Sequence, residues 1–240
     1  MNEALAPLIA IVGPDGAGKS TLAADIAARL GAGRAIAHIY LGLGSGDLAR
    51  RIKRWPLIGP AIELSINARA DRARDTSGRI PGLFTALVIY AFSLRRMRSF
   101  ERMMRLRRRG VTVITDRYPQ IEVPGYYDGP GLSAAATASP LIAWLARREL
   151  RLYERMAAHL PTLVIRLNID VATALARQPD HNSTLVALKI AATPLLLFSG
   201  AALADVDATR PYPEVRAEVL ALVEGALHGP APVSRGAASG

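Results

Sequence analysis

The sequence predicts an α/β fold: a mostly parallel, five-stranded sheet with helices on both faces and a short lid. Three observations carry that prediction. Short apolar runs alternate with stretches at helical spacing along the 240 residues. The first run ends at a glycine-rich turn that opens directly into a helical pattern. Half of all residues are apolar, enough to bury a sizeable core.

Taken in order, Leu8 to Val12 is the first strand, and Lys19 to Leu30 the first helix, with Leu22, Ile26 and Leu30 at helical spacing. Ala35 to Tyr40 is the second strand, followed by a glycine-rich turn, "LGLGSGD", from Leu41 to Asp47. A polar, arginine-rich helical region is expected from about Arg50 to Asp75, broken by "TSGRIPG". Phe84 to Arg109 reads as one long helix, apolar first and basic later, closed by Gly110. "VTVIT", Val111 to Thr115, is the clearest strand, with β-branched residues and a charged stop at Asp116. Thr162 to Ile169 and Ala202 to Val206 complete the five, and a helix follows from Pro213 to about Leu227. The apolar stretches Gly82 to Leu94 and Ser183 to Ala204 are too short, or too interrupted by Lys189 and Pro194, to cross a membrane, and are expected as core helices. The expected organisation is one domain over residues 1–227, a lid at about 177–183, and a mobile tail at 228–240.

Composition narrows the chemistry. The chain contains no cysteine, which excludes disulfides, thiolate catalysis and cysteine-ligated metals. The four histidines show no metal-ligand spacing, and there is no nucleophile elbow for hydrolase chemistry. No basic, apolar leader follows Met1, so a cytoplasmic location is expected. A net charge of +10 calls for an anionic partner: a nucleotide, a nucleic acid or a lipid surface. Eight arginines between Arg95 and Arg109 read first as a solvated helix face. Nucleic acid is disfavoured because aromatics are scarce and no recognised module accompanies the charge, whereas a peripheral membrane contact stays open.

The spacing Gly13-x4-Gly18-Lys19-Ser20 is the Walker A pattern, placed between a strand and a helix. Its glycines, Gly13, Gly16 and Gly18, let consecutive amides turn toward phosphate oxygens at the positive end of the helix. Lys19 reaches the β- and γ-phosphates of ATP and the Ser20 hydroxyl ligates Mg²⁺, with Asp15, Ala17 and Thr21 completing the loop. A second constellation lies at Asp116-Arg117, at a strand's carboxyl end where open α/β sheets present ligand groups. Asp116 is a candidate anchor for magnesium or its water shell, and Arg117 offers a planar fork for phosphate. Tyr126, Tyr127 and Asp128 follow in a loop bounded by glycine and proline, where they either stack on and hydrogen-bond an acceptor ring or pack as ordinary loop residues.

"GPDGAGKST" together with Asp116-Arg117-Tyr118 resembles the thymidylate kinase family. "VDATRPYPEV" (Val206 to Val215) is similar to that family's last strand and adenine-side loop, and "ALARQ" (Ala174 to Gln178) to the run into its lid. The resemblance implies the P-loop NTPase fold of nucleoside-monophosphate kinases, with ATP as donor, Mg²⁺ as cofactor and a homodimeric assembly. It implies that Asp15 faces the acceptor's sugar hydroxyl, that Arg117 grips the acceptor phosphate, and that Arg177 brings positive charge to the migrating phosphoryl group. Counting back from Asp116 places the family's helix arginine at Arg95, with Arg96 adjacent. The likeness is weakest at the acceptor end. "YLGLGSGD" stands where the family has Arg-Glu-Pro-Gly, and Pro119, Ile121, Val123 and Pro124 replace base-reading polar residues. The expected activity is therefore phosphoryl transfer from ATP to a nucleoside monophosphate, dTMP first. The alternatives are a sugar, nucleoside or lipid-linked acceptor, or an ATP-dependent interaction module.

Overall fold

The computed structural model describes residues 5–42, 82–132 and 139–228. The turn expected to run to Asp47, the arginine-rich region at 50–75 with its "TSGRIPG" break, and the tail beyond His228 lie outside the described residues. Five strands, β1 (Leu8–Val12), β2 (Ile36–Tyr40), β3 (Thr112–Asp116), β4 (Leu163–Asn168) and β5 (Leu203–Asp207), form one all-parallel sheet in the order β2-β3-β1-β4-β5. Every one lies within one residue of its expected bounds. The helices are α1 (Lys19–Gly31), α2 (Leu83–Arg108), α3 (Pro140–Ala157), α4 (Val171–Arg177), α5 (Ser183–Ala192) and α6 (Tyr212–His228).

All five residues of β1 and of β3 are buried, as central parallel strands covered on both faces require. Alternate residues of β1 feed different cores. Ile9 and Ile11 pack with Leu22 and Ile26 of α1 and Val219 of α6, while Leu8 and Ala10 pack with Phe100 of α2 and Tyr153 of α3. Register pairs Ile11 with both Asp116 and Ile165, so the loop after β1 and the carboxyl end of β3 emerge at the same edge of the sheet. That edge is where doubly wound sheets bind ligands.

Two expectations are corrected. Ser183 to Ala204 does not form a core helix: α5 ends at Ala192, just before Pro194, which lacks an amide proton and disfavours helix at its predecessor. Two short 3₁₀ turns, Thr193–Leu195 and Phe198–Gly200, follow, and of α5 only Val186 is buried. Nor is the stretch from Gly82 to Leu94 wholly core. It opens α2, and Leu83, Phe84 and Leu87 stay exposed while Ala86 and Ser93 are buried. The sequence expectations leave α3 unassigned. It lies beside α2 and runs in the same direction, as Ser93 to Glu149 and Arg96 to Tyr153 contacts show.

Candidate functional site

The loop from Gly13 to Ser20 wraps the end of β1. Gly13 has φ 145°, and a Cβ there would lie 2.5 Å from the Leu167 carbonyl oxygen, so the backbone passes too close to β4 for any side chain. Gly16, at φ 85°, likewise abuts the Ala174 carbonyl, 3.0 Å from where a Cβ would be. Gly18 caps α1 in the left-handed conformation and has no side chain of its own to bond the first-turn amides. First-turn amides of a helix have no intrahelical partner and carry the positive end of its dipole, which suits an anion at this loop.

Lys19 curls back over the loop, its Nζ donating to the Pro14 carbonyl at 2.7 Å and lying 4.0 Å from Asp15. Burial, helped by the Arg117 charge and only partly offset by Asp15, Asp116 and Asp128, lowers its pKa to about 8. Ser20 donates to Oδ2 of Asp116, across the β1–β3 edge. The other carboxylate oxygen of Asp116 is buried and has no hydrogen-bond partner among the described residues. A hydroxyl and an orphaned carboxylate oxygen side by side form a donor set that suits a hard divalent cation.

Arg117 takes a left-handed backbone, φ 73°, unusual for a residue with a side chain. Its amide still bonds the Ile11 carbonyl at 3.0 Å, so the strained residue turns out of the sheet while remaining anchored to β1. Its guanidinium lies 3.5 Å from Asp15 and 3.6 Å from Asp128. Burial opposes the charge, but Asp128, Tyr40, Asp15 and Asp116 hold Arg117 protonated beyond the ordinary arginine range. Arg96 of α2, only 1% exposed, donates to the Asp128 carboxylate, to the Asp128 carbonyl at 2.6 Å and to the Tyr153 hydroxyl at 2.9 Å. The Nε atoms of Arg96 and Arg117 are buried without hydrogen-bond partners among the described residues. The cluster thus keeps an unused acceptor at Asp116 and unused donors on its two arginines.

Asp15 stands between the two groups. Burial disfavours its charge, yet Lys189, Lys19 and Arg117 outweigh that and hold its carboxyl well below the ordinary carboxylate range. Arg177, exposed at the end of α4, donates to the Gly16 carbonyl at 3.3 Å, which brings it over the loop. Beyond Gly13, an open depression of about 500 Å³ is lined by Asn168, Ile169, Asp170, Asp205, Asp207 and Thr209.

Most sequence-selected residues converge here, with exceptions. Arg95 is exposed on the far side of α2, because one residue turns a helix by about 100° and only Arg96 faces the cluster. The Tyr127 hydroxyl is engaged elsewhere: it donates to the Lys189 carbonyl and meets Thr193 Oγ1 at 2.6 Å, tying the loop to α5. Tyr126 is half-buried, and its carbonyl accepts from Gln120 at 2.8 Å. Lys189, which pairs directly with Asp15, was not selected. Its signal is in the sequence: it is the one charged residue between Ser183 and Gly200.

No protein-family model matches the chain. It is 42% identical over 228 residues to the uncharacterized ATP-binding protein YghS of Escherichia coli K12, a match that spans 95% of this chain and 96% of that protein. It is 41% identical over 209 residues to the uncharacterized ATP-binding protein YghR, both of E. coli K12 and of E. coli O6:H1, covering 87% of this chain and 83% of YghR. At that identity, over nearly the full length of this chain and of YghS, the chain belongs to the family of YghS and YghR.

Proposed function

We propose that the chain binds ATP and transfers its γ-phosphoryl group to a small anionic acceptor, in the manner of the thymidylate kinase family, with dTMP the first acceptor to try. The observation that carries this reading is the position of Asp15 between the amide-lined loop with Lys19 on one side and the Arg96–Asp128–Arg117 cluster on the other. Two anion-seeking groups that share one carboxylate suit a donor and an acceptor phosphate in line. The names of YghS and YghR support the donor half.

In this reading the loop amides and Lys19 bind the triphosphate, and Arg117 and Arg96 orient the acceptor. Arg177 at the lid, about 177–183, adds charge over the site and helps exclude water. Ser20 and Asp116 would hold a magnesium ion, which when bound supplies charge neutralisation on the phosphates. Asp15 is a poor general base, because a carboxyl held this far below its ordinary range has little affinity for a proton. That favours an acceptor oxygen already ionised at neutral pH, as a phosphate is.

A second reading keeps the chemistry and changes the acceptor to a sugar, nucleoside or lipid-linked group. It is favoured by one observation: the Tyr127 hydroxyl is committed to α5, in a loop where Pro119, Ile121 and Val123 leave few groups to read a base. The test is ADP release from ATP and Mg²⁺ with dTMP, other monophosphates and free sugars. A several-fold rise with dTMP alone supports the first reading, and a rise with non-nucleotides alone supports the second. Indifference to every acceptor overturns both.

A further inference from the structure

The exposed side of the α2–α3 helix pair carries a pattern that the phosphoryl-transfer reading does not use. On α2, Phe84, Leu87, Arg95, Arg98, Arg102 and Arg105 are exposed at intervals of three, four and eight residues, which places them along one line of the helix. On α3, Trp144, Arg147, Arg151 and Arg155 repeat the order, aromatic first and basic afterwards. The helices run in the same direction, and Ala86 packs with Ile142 and Leu145. Their apolar starts therefore lie side by side, and so do their basic lengths. Phe84 is 51% exposed and Trp144 44%, with the Arg148 guanidinium 5.0 Å from the Trp144 ring centroid.

From Arg95 to Arg109 and along α3, ten exposed arginines face only two exposed acids, Glu101 and Glu154. The surplus of eight positive charges is most of the chain's net +10. The two arginines of this stretch that are buried, Arg96 and Arg107, are turned inward and held by Asp128 and the Ala6 carbonyl.

We infer that this face docks on an anionic lipid bilayer. Headgroup phosphates answer the arginine lengths, and the acyl boundary just beneath takes up Phe84, Leu87 and Trp144, so a single partner satisfies both halves of the pattern. A polynucleotide supplies the charge but no apolar layer. A second copy of the chain would set one cationic surplus against another.

The test is flotation of the full chain with vesicles of phosphatidylcholine, alone or with about 25 mol % phosphatidylglycerol. The chain floats with the anionic vesicles only, and release follows as salt rises from about 0.1 to 0.5 M. Reversing Arg98, Arg102 and Arg105 to Glu lowers the bound fraction about tenfold or more, and so does Phe84→Ser with Leu87→Ser and Trp144→Ser. In a Trp55→Phe background, Trp144 emission shifts to the blue on anionic vesicles. Circular dichroism confirms that each variant is folded, and Arg147, Arg151 and Arg155 to Glu replaces the α2 set if that set does not fold. Equal flotation with neutral vesicles, or binding unchanged in folded variants of both kinds, overturns the inference. So does duplex DNA held more tightly than the vesicles, or a dimer that both variants dissociate without any vesicle binding in the parent.

Discussion

Lys189 of α5 pairs with Asp15 of the phosphate loop across 174 positions of sequence. The contact ties α5 to the loop, and it makes Asp15 a carboxylate shared by Lys189, Lys19 and Arg117. Asp15→Asn leaves three cations without their shared counter-charge, and we expect a loss of roughly 2–3 kcal/mol of stability. An anion can replace the carboxylate, so inorganic phosphate or sulfate should raise the melting temperature of the variant by more than that of the parent. Equal shifts in the two proteins would refute the shared-carboxylate account.

Lys189→Met removes one partner while Lys19 and Arg117 remain. Because the Lys189 side chain is 34% exposed, the expected cost is small, about 1 kcal/mol or less. The larger effect should be local: hydrogen exchange of α5 amides speeds up while that of α1 is unchanged. Unaltered α5 protection would show that the pair does not fasten the segment.

Lys19 predicts a pH signature. Its pKa in the folded chain is about 8, against an ordinary 10.5. Between those values the unfolded chain holds the proton more tightly, so burial of Lys19 penalises folding fully below pH 8, and the penalty fades as pH rises toward 10.5. Nucleotide binding has the opposite sign, since phosphate favours the charged amine. Affinity for ADP should fall as pH rises through 8, and binding at about pH 8.5 should take up a proton. Calorimetry in buffers of different ionisation heat reads this directly. Buffer-independent heats at that pH would exclude Lys19 as the phosphate contact.

The central strands β1, β3 and β4 were legible because each is a short, largely buried apolar run, a pattern with no competing helical period, while the edge strands β2 and β5 are only partly buried. α3 was harder to see because its inward stripe, Ile142, Leu145, Glu149 and Tyr153, includes a carboxylate. Only the structure shows that Glu149 serves Ser93 and the Gly131 and Leu132 amides. The loop glycines and Ser20 could be read directly, since their chemistry follows from spacing. Arg95 and Arg96 could not be separated by counting, as adjacent helical residues face about 100° apart. Asp15's dependence on Lys189 is a long-range contact, and no local pattern encodes it.

Arg96 and Arg95 therefore offer a paired test. Arg96→Met removes a buried charge that meets the Asp128 carboxylate, its carbonyl and Tyr153, and a loss of roughly 3–5 kcal/mol is expected. Arg95→Met, on the exposed side, should stay within about 0.5 kcal/mol. Denaturant melts of the two variants decide it. Comparable losses would mean that the cluster does not depend on which arginine turns inward.

Asp116 and Ser20 predict how the site treats a divalent ion. The Asp116 carboxylate has one oxygen engaged by Ser20 and the other buried without a partner among the described residues. Asp116→Asn keeps the shape and removes the charge, so affinity for Mg²⁺ in the presence of ADP should fall at least about tenfold. Ser20→Ala should weaken it as well, since the hydroxyl is both a ligand and the group that orients the carboxylate. Both changes leave the loop's backbone amides in place and keep the Lys19 contacts with Pro14 and Asp15, so binding of ADP without metal should persist. Melting temperatures with ADP alone and with ADP plus Mg²⁺ separate the two effects, because a ligand stabilises the folded chain in proportion to its occupancy. If the magnesium increment survives in both variants, the ion is held elsewhere and the Ser20–Asp116 pair serves only to join α1 to β3.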